Sequence, residues 1–313
     1  MQTKITVIHH SADFDGIFCR EIARKFLPRA ELIGWDYGNK KLPVPAGKFY
    51  ILDLSPECLE PDVLPMSDAG RMIWIDHHAS AIKKFPEAFP GYRIDGVAAC
   101  RLAWQYFALT KQMPDIHLTG LLPDKLAFVA RNVAEPYAVR LAGEYDIWDK
   151  RDPDAELFQH GLRTRDIDSS KWGDSAYWDV LLGMDLTAKA IVNDLLVSGK
   201  YLQYAQTRQN ESIITSAGFT IQFEGLMFLA CNHARYNSNL FTAGIRPEHD
   251  ALLGFAWRDG QWAVSLYHAP GKEHHDLSQI AVKHGGGGHR GACGFRTKTL
   301  PFLTTTQEAI RRG

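Results

Sequence analysis

Three groups of aspartate and histidine residues in the first hundred positions each follow a short apolar segment that is predicted to be a β-strand. The groups are His9, Asp13 and Asp15 in the first, Asp53 in the second, and Asp76, His77 and His78 in the third. In an open parallel sheet, ligands bind in the crevice outside the carboxyl ends of the strands. We therefore expect the three groups to converge on one crevice, although they are far apart in the sequence.

The residue types in these groups are suited to divalent cations. Carboxylates and imidazoles together bind Mn²⁺, Fe²⁺, Zn²⁺ or Mg²⁺, and many carboxylates with few thiols favour Mn²⁺ or Mg²⁺ over a structural zinc site. Several carboxylates in one crevice repel one another unless cations neutralise them. Two cations about 4 Å apart would do so, and they would also generate a hydroxide and hold a phosphate.

Each group taken singly also has a purely structural explanation. The first group fits loop capping, and the second fits a helix N-cap or a turn. The third group, directly after a buried strand, is harder to explain in this way. Because all three groups stand at predicted strand ends, their combination favours a metal centre.

A run of four glycines stands near the end of the chain, in residues 284–295. Its candidate binding residues are Gly286, Gly287, Gly288, His289 and Arg290. Glycines let backbone N–H groups close around an anion without side-chain obstruction, and His289 and Arg290 would add charge or hydrogen-bond donors. A flexible linker is the alternative, but the His-Arg pair and the apolar residues after it favour a binding loop.

The elements that position these groups can be read from the hydrophobic pattern. Strands are predicted at residues 5–8, 32–35, 49–52 and 71–75, and helices at residues 16–27, 97–109 and 122–141. Short apolar segments that alternate with helical patterns predict βαβ units and a mostly parallel sheet. A helix over residues 187–216, either one long helix or one broken near Ser198-Gly199, is the candidate connector to a second domain.

After this connector the chain becomes rich in strand patterns. Strands are predicted at residues 219–223, 227–232, 251–257 and 262–267, and a helix at residues 277–284. The pair Asp259-Gly260 is a strong hairpin signal. The predicted fold class is α/β, with an N-terminal domain over residues 1–186, a helical connector over 187–215, and a smaller α/β domain over 216–313.

The composition excludes several classes of protein. Of the 313 residues, 45% are hydrophobic and 23% are charged, as in globular domains. The net charge of −1 argues against a large basic surface for long duplex nucleic acid, but it allows a local basic pocket for a short anion. The sequence shows no signal-peptide or membrane-span pattern, and the five scattered cysteines favour reduced thiols, so we expect a cytoplasmic protein. An apolar patch in the helical region would allow a homodimer.

These motifs resemble those of a known family. Asp76-His77-His78 is similar to the motif that names the DHH phosphoesterases, His9-x3-Asp13-x-Asp15 is similar to their first motif, and Asp53 to their second. Gly286-Gly287-Gly288-His289 resembles the glycine-rich signature of the DHHA1 accessory domain. The motifs occur in the family's order along the whole chain. The resemblance therefore implies a DHH catalytic domain followed by a DHHA1 substrate-binding domain.

The resemblance also implies a metal-binding role for individual residues. A first metal would be held by His9, Asp13 and Asp53. A second would be held by Asp15, Asp53 and His77, so that Asp53 bridges the two. The implied cations are Mn²⁺, with Mg²⁺ or Co²⁺ as alternatives.

The same resemblance implies supporting or substrate-binding roles for further residues. His78 would contact the phosphate or orient a ligand, and Asp76 would support the histidines, since metal-bound imidazoles need an outer partner. The fourth acidic ligand of the family is assigned to Asp146, with Asp149 as the alternative. Both lie in the segment Glu144-Tyr145-Asp146-Ile147-Trp148-Asp149.

The activity implied is that of a Mn²⁺-dependent phosphodiesterase. It would hydrolyse short oligonucleotides or linear dinucleotides to nucleoside monophosphates by in-line attack of a hydroxide bridging two metals. One alternative is another phosphohydrolase, acting on 3′-phosphoadenosine 5′-phosphate, cyclic dinucleotides, pyrophosphate or polyphosphate. Another is a nucleotide-binding regulatory module without catalysis.

One departure from the family bears on the substrate. Many members that act on short nucleotides carry an arginine in a Ser-Leu-Arg-Ser-like segment, whereas this chain has Ser265-Leu266-Tyr267-His268. Arg246, Lys272 or Arg290 could replace the missing cation. Candidate aromatic platforms for a base are Tyr137, Trp148, Trp172 and Tyr267, for each of which ordinary packing is the alternative.

Overall fold

The computed structural model describes residues 5–60, 70–85, 89–112, 120–165, 175–234 and 237–303. The chain divides into two compact units, Met1–Leu202 and Gln203–Gly313. This division falls within the helix that the sequence predicts as a connector. The finer bounds of 1–186, 187–215 and 216–313 stay a prediction.

The first unit is built on a sheet of five parallel strands. They are β1 (Thr6–His10), β2 (Glu31–Trp35), β3 (Phe49–Leu52), β4 (Met72–Asp76) and β5 (Gly91–Arg93). Their order across the sheet is β2-β1-β3-β4-β5, and each neighbouring pair is parallel. β1, β3 and β4 are buried along their whole length. A parallel sheet covered by helices on both faces requires such apolar strands, and the predicted α/β class with a mostly parallel sheet is confirmed.

The fifth strand is the one that the sequence does not predict. β5 has only three residues, and its first is Gly91. A Cβ atom at this position would lie 1.9 Å from the carbonyl oxygen of Trp74 on β4. Glycine is therefore required for the close approach of the two strands, and glycine weakens the β-strand pattern.

Helices α1 to α8 accompany this sheet. They are α1 (Phe14–Phe26), α2 (Ala79–Lys84), α3 (Ala99–Gln112), α4 (Lys125–Val129), α5 (Tyr137–Asp146), α6 (Asp154–Leu162), α7 (Ser175–Leu181) and α8 (Leu186–Ala217). In α1, Ile17, Phe18, Ile22 and Ala23 are buried, and the ring of Phe18 contacts that of Trp178 at a centroid distance of 5.0 Å. Among the described helices, none has both the length and the apolar character needed to span a bilayer.

The prediction of a single helix over residues 122–141 is wrong. The chain forms α4 and α5 instead, and the segment between them contains Arg131 with a φ of +60°. Pro136 immediately precedes α5. Proline disfavours the helical conformation of the residue before it, so a helix cannot easily continue through this point.

Helix α8 is continuous, so of the two alternatives for this segment the structure has the one long helix, without a break near Ser198-Gly199. Gly199 serves a close helix crossing instead, because a Cβ atom there would lie 1.8 Å from the carbonyl oxygen of Leu157 on α6. The relationship is reciprocal, since a Cβ atom at Gly161 on α6 would lie 2.0 Å from the carbonyl oxygen of Leu195 on α8. The two glycines let the helix backbones touch. This packing outweighs the low helix propensity of glycine, which is about 1 kcal/mol.

The second unit contains a mixed sheet of six strands. They are β6 (Gly218–Phe223), β7 (Leu226–Asn232), β8 (Ala251–Arg258), β9 (Gln261–His268), β10 (Gly287–His289) and β11 (Ala292–Thr297), with α9 (Leu277–Lys283) before β10. The order is β10-β11-β9-β8-β7-β6, in which the β7–β8 pair is parallel. Asp259 and Gly260 form the predicted tight hairpin, with φ values of +49° and +78°. Both signs fit a type I′ turn.

Part of the glycine run, which the sequence predicts to be a binding loop, forms a β-strand. Residues Gly287–His289 form the edge strand β10, which pairs with β11 in antiparallel fashion. A Cβ atom at Gly286 would lie 2.1 Å from the carbonyl oxygen of Gly294, and one at Gly288 would lie 2.6 Å from the Cα atom of Cys293. Close packing on β11 therefore explains these two glycines. Gly287 has open space around it.

Candidate metal centre

The three ligand groups of the first unit lie at one edge of its sheet. β1, β3 and β4 are neighbours in the order β1-β3-β4 and run in the same direction. His10 is the last residue of β1, Asp53 directly follows β3, and Asp76 is the last residue of β4. The carboxyl ends of the three strands thus bring the groups together, as expected for an open parallel sheet.

Seven side chains at this edge form three overlapping sets, each with three ligand atoms within 4.8 Å of one another. The sets are His10, Asp13 and Asp53; Asp53, His77 and His78; and Asp15, His77 and Asp146. Asp53 belongs to the first two sets, and His77 belongs to the last two. The shared residues connect the sets into one cluster, as a site for two cations requires.

The first set is centred on His10. Its Nδ1 atom lies 2.9 Å from Oδ2 of Asp13 and 3.5 Å from Oδ2 of Asp53, and its Nε2 atom lies 3.3 Å from Oδ1 of Asp36. Burial lowers the pKa of His10, but the carboxylates of Asp13 and Asp53 outweigh burial and raise it to about 11. Asp13 also caps helix α1, since its Oδ1 atom accepts the N–H of Gly16 at 3.0 Å. This cap fixes the carboxylate beside the end of β1.

His9, which the family motif assigns to the first metal, lies outside the three sets. Its Nδ1–H donates to the carbonyl oxygen of His10 at 2.7 Å, so Nε2 carries the free lone pair. Burial lowers the pKa of His9 to about 4, and the imidazole is therefore neutral. The ring lies against Gly34 on β2, where a Cβ atom would be 3.5 Å from Nε2. The role of His9 as a ligand stays a prediction.

His10 is the residue of the cluster that the sequence pattern does not single out. Adjacent residues of a strand point to opposite faces of the sheet, so His9 and His10 cannot take equivalent positions. The available signal is the His-His pair that ends the apolar segment, since either histidine could reach the following aspartates.

His77 joins the second and third sets. Its Nε2 atom lies 3.4 Å from Oδ1 of Asp53, 3.4 Å from Oδ2 of Asp146 and 3.6 Å from Oδ2 of Asp15. Asp15 is held in place by the first residues of α3, because its two carboxylate oxygens accept the N–H groups of Ala99 at 2.8 Å and Cys100 at 2.7 Å. A helix N-terminus stabilises a carboxylate in this position.

The carboxylates of the cluster repel one another. Burial raises the pKa of Asp15 well above its usual range, and Asp53 and Asp146 add to this effect. Burial and Asp53 raise the pKa of Asp146 to about 7. Burial also acts to raise the pKa of Asp53, but His10 and His77 outweigh it and lower the pKa to about 2. His10 and His77 are therefore the neighbours that stabilise the charged form of the Asp53 carboxylate.

The Asp76 carboxylate orients His77 and His78 through hydrogen bonds. Its Oδ1 atom accepts the backbone N–H of His77 at 2.7 Å and the Nδ1–H of His78 at 2.7 Å. The Nε2 atom of His78 is thereby left as the atom with a free lone pair. Asp76 lies outside the three sets, and its role as a support for metal-bound imidazoles stays a prediction.

Of the two candidates for the fourth acidic position, the structure brings Asp146 into the cluster. Asp149 is paired instead with Arg151, whose Nε donates to Oδ1 of Asp149 at 2.8 Å. This guanidinium lowers the pKa of Asp149 to about 2. Asp146 ends helix α5, which carries it to the carboxyl edge of the sheet.

The chemistry of the cluster fits divalent cations. Two buried carboxylate oxygens there, Oδ2 of Asp53 and Oδ2 of Asp76, make no hydrogen bond among the described residues. Buried polar atoms without partners cost free energy, which a bound ion would recover. Oxygen ligands from several aspartates and nitrogen ligands from histidines are the donors that Mn²⁺ and Mg²⁺ sites use.

The predicted substrate-binding residues of the glycine run lie in the second unit. Arg290 directly precedes Gly291, and its Nη2 atom donates to the carbonyl oxygen of His274 at 2.6 Å. The backbone of Arg290 accepts the N–H of Leu277, the first residue of α9. The binding roles of Gly286, Gly287, Gly288, His289 and Arg290 stay predictions.

Comparisons with known proteins identify the fold. No protein-family model and no curated protein sequence matches the chain. Among solved structures, the chain is similar to the pGpG-specific phosphodiesterase PggH from Vibrio cholerae, with 15% identity, a TM-score of 0.53, and coverage of 98% of this chain and 97% of that one. It is also similar to the DHH domain of a member of the s1p family of ribosomal proteins. The identity is 13%, the TM-score is 0.53, and the match covers 98% of this chain and 86% of that one. The parallel five-stranded unit followed by the mixed-sheet unit is therefore the DHH/DHHA1 fold.

Proposed function

We propose that the protein is a metal-dependent phosphodiesterase that hydrolyses short oligonucleotides or linear dinucleotides to nucleoside monophosphates. The observation that carries this proposal is the connection of the three ligand sets through Asp53 and His77. Such a cluster suits two neighbouring cations, which is the arrangement used for in-line displacement at phosphorus.

The chain's own residues have distinct parts in this chemistry. Bound cations would supply the charge neutralisation, the activation of water and the polarisation of the phosphoryl oxygen. Asp53 belongs to two of the three sets and would be a ligand of both cations. The hydrogen bonds of Asp15 to the start of α3 keep its carboxylate fixed. Asp76 keeps the imidazole of His78 oriented, with Nε2 available for a cation or a phosphate oxygen.

Two observations support a short nucleotide as the substrate. The Vibrio cholerae phosphodiesterase of the same fold is described as specific for pGpG. The net charge of −1 disfavours a long basic track for a polymer. We further propose Mn²⁺ as the cation, because carboxylates outnumber imidazoles in the cluster and no thiol belongs to it among the described residues. The five cysteines are all unpaired, which supports a cytoplasmic location.

The test is product analysis by mass after incubation with Mn²⁺ and a 5′-phosphorylated diribonucleotide. A sample treated with a chelator is the control. We expect nucleoside monophosphates in the Mn²⁺ sample and intact dinucleotide in the chelated one. Intact dinucleotide in both samples would contradict the proposal, and 3′-phosphoadenosine 5′-phosphate and pyrophosphate would then be the next substrates to test.

A further inference from the structure

We propose that Trp148 makes this site selective for nucleotides, by offering its indole ring as a stacking platform for a base of the substrate. The inference rests on the proposed function and deepens it, because it assigns the part of the substrate that distinguishes a nucleotide from pyrophosphate or polyphosphate. Three properties of Trp148 support this role, namely its place in the chain, its backbone conformation and the exposure of its ring.

Trp148 follows the metal cluster closely in the chain. It stands two residues after Asp146, whose Oδ2 atom lies 3.4 Å from Nε2 of His77. Two steps of about 3.8 Å separate the Cα atoms of the two residues by at most about 7.6 Å. The Cα atom of Trp148 therefore lies within about 7.6 Å of the Cα atom of Asp146, which is a candidate metal ligand.

The backbone of Trp148 has a conformation that usually belongs to glycine. Helix α5 ends in a Schellman motif, in which the N–H of Trp148 donates to the carbonyl oxygen of Tyr145 at 3.1 Å and the N–H of Asp149 donates to that of Glu144 at 2.8 Å. This motif requires a left-handed residue after the helix, and Trp148 has a φ of +55°. A large residue with a Cβ atom is sterically disfavoured there.

Burial does not explain why tryptophan occupies this position, since 54% of the residue is exposed. Its ring stacks partly on Tyr145, with a centroid distance of 5.8 Å, and the Nζ atom of Lys150 lies 5.3 Å from the ring centroid. A strained residue two positions from a candidate metal ligand points to a role in function. An exposed aromatic ring with an ammonium next to it matches a nucleotide, which offers a base to stack and a phosphate to attract the charge.

The other aromatic candidates from the sequence fit this role less well. The Tyr137 hydroxyl donates to Oδ2 of Asp154 at 2.7 Å, and the Arg140 guanidinium lies over its ring at 4.8 Å. Tyr267 lies on β9 in the second unit, and Trp172 lies outside the described residues. Trp148 is the candidate that is exposed and that stands two residues from a member of the metal cluster in the chain.

The experiment compares two inhibitors that differ by the base. Adenosine 5′-monophosphate and ribose 5-phosphate are tested against Mn²⁺-dependent hydrolysis of the dinucleotide by the full chain. We expect the wild type to bind the nucleotide about tenfold more tightly, which is the order of one base stack. Trp148→Asn should lose this preference while its inhibition by ribose 5-phosphate stays unchanged, because asparagine accepts the left-handed conformation but has no ring.

Two further variants separate stacking from structure. Trp148→Phe keeps an aromatic ring and should recover most of the preference. Trp257→Thr is the matched control, since Trp257 on β8 is 56% exposed and lies in the second unit. It should leave the preference intact. For Trp148→Asn we also expect a higher KM for the dinucleotide with an unchanged kcat.

The outcomes distinguish the two proposals. A wild-type protein that hydrolyses no dinucleotide with Mn²⁺ would overturn the proposed function. Hydrolysis by the wild type, together with an unchanged nucleotide preference in Trp148→Asn, would overturn only the role of Trp148. The same holds if Trp148→Asn weakens inhibition by both compounds equally, because the residue would then support the site rather than contact a base.

Discussion

The Nε2 atom of His77 lies 3.4 Å from Oδ2 of Asp146, although His77 follows strand β4 and Asp146 ends helix α5. This contact brings the helical half of the first unit to the carboxyl edge of the sheet. It adds a fourth carboxylate to those of Asp13, Asp15 and Asp53. The cluster therefore depends on tertiary packing as well as on the strand ends.

The contact between His77 and Asp146 predicts that replacing Asp146 changes Mn²⁺ affinity, whereas replacing the nearby Asp149 does not. Asp146→Asn should weaken Mn²⁺ binding by at least about tenfold, as loss of a group that touches or supports a metal does. It should also raise the melting temperature of the metal-free protein, because it removes one of several repelling carboxylates. Calorimetric titration with Mn²⁺ and thermal melting in chelator measure the two effects.

Asp149→Asn is the matched control for this experiment, since Asp149 lies three residues further on and pairs with Arg151. It should leave Mn²⁺ affinity close to that of the wild type. If the Asp149 variant loses Mn²⁺ affinity and the Asp146 variant does not, the assignment of the fourth acidic ligand must be reversed.

Removal of the shared carboxylate should have the largest effect on turnover. Asp53→Asn keeps the shape of the side chain, and asparagine also tolerates the φ of +57° at this position. We expect less than about one tenth of wild-type turnover, because both cations lose a ligand at once. Circular dichroism should report an intact fold.

A control with the same change of charge is Asp124→Asn. Asp124 caps α4 by accepting the N–H of Ala127 at 2.9 Å, and asparagine caps helices equally well. Its turnover should therefore equal that of the wild type. Turnover above about one tenth in Asp53→Asn, measured beside this control, would refute the bridging role.

The sheet and most of the metal cluster could be predicted from the sequence because both depend on local patterns. Buried parallel strands have continuous apolar sequences, and the residues after them must share one edge of the sheet. These local patterns could not show which of His9 and His10 joins the cluster. It depends on which face of β1 each side chain takes, and a shift of one residue reverses the two faces.

Features that depend on close backbone contact were the ones that the sequence did not reveal. Gly199 has the pattern of a helix breaker, but it lies within a continuous helix because it faces the backbone of α6. The glycine run likewise has the pattern of a binding loop, whereas Gly288 lies in strand β10 and packs against β11. A glycine that adopts a special φ and a glycine that permits close packing look identical in a sequence.

The close crossing of α6 and α8 predicts that adding one methyl group at Gly199 lowers the free energy of unfolding. Gly199→Ala would place a methyl group 1.8 Å from the carbonyl oxygen of Leu157. We expect a net loss of about 2 kcal/mol in the free energy of unfolding, because overpacking exceeds the gain in helix propensity of about 1 kcal/mol. Denaturant unfolding of the variant measures this loss.

Gly70→Ala serves as the control for the alanine substitution, because a Cβ atom at Gly70 would contact nothing within 4 Å. Its stability should lie within about 0.5 kcal/mol of the wild type, as for most surface changes. Should Gly199→Ala prove as stable as this control, the two helices do not cross as closely as the structure places them.

The buried imidazole of His249 predicts a dependence of stability on pH in the second unit. Its Nδ1 atom accepts the N–H of Arg246 at 3.0 Å, so Nε2 carries the proton and donates to Oγ1 of Thr220 at 2.8 Å. Burial is the main cause that lowers the pKa of His249 below its usual value of 6.5. The folded protein therefore holds this ring neutral, and protonation of Nδ1 would break its bond to Arg246.

The sign of the effect follows from proton binding. An unfolded chain protonates this histidine near pH 6.5, whereas the folded chain does so only at a lower pH. The stability that the neutral ring contributes is thus complete above about pH 6.5 and is lost as the pH falls through the folded pKa. Between about pH 7.5 and about pH 5.5, the melting temperature of the wild type should fall more than that of His249→Gln. Because the other histidines are common to both proteins, equal decreases would show that His249 is not held neutral.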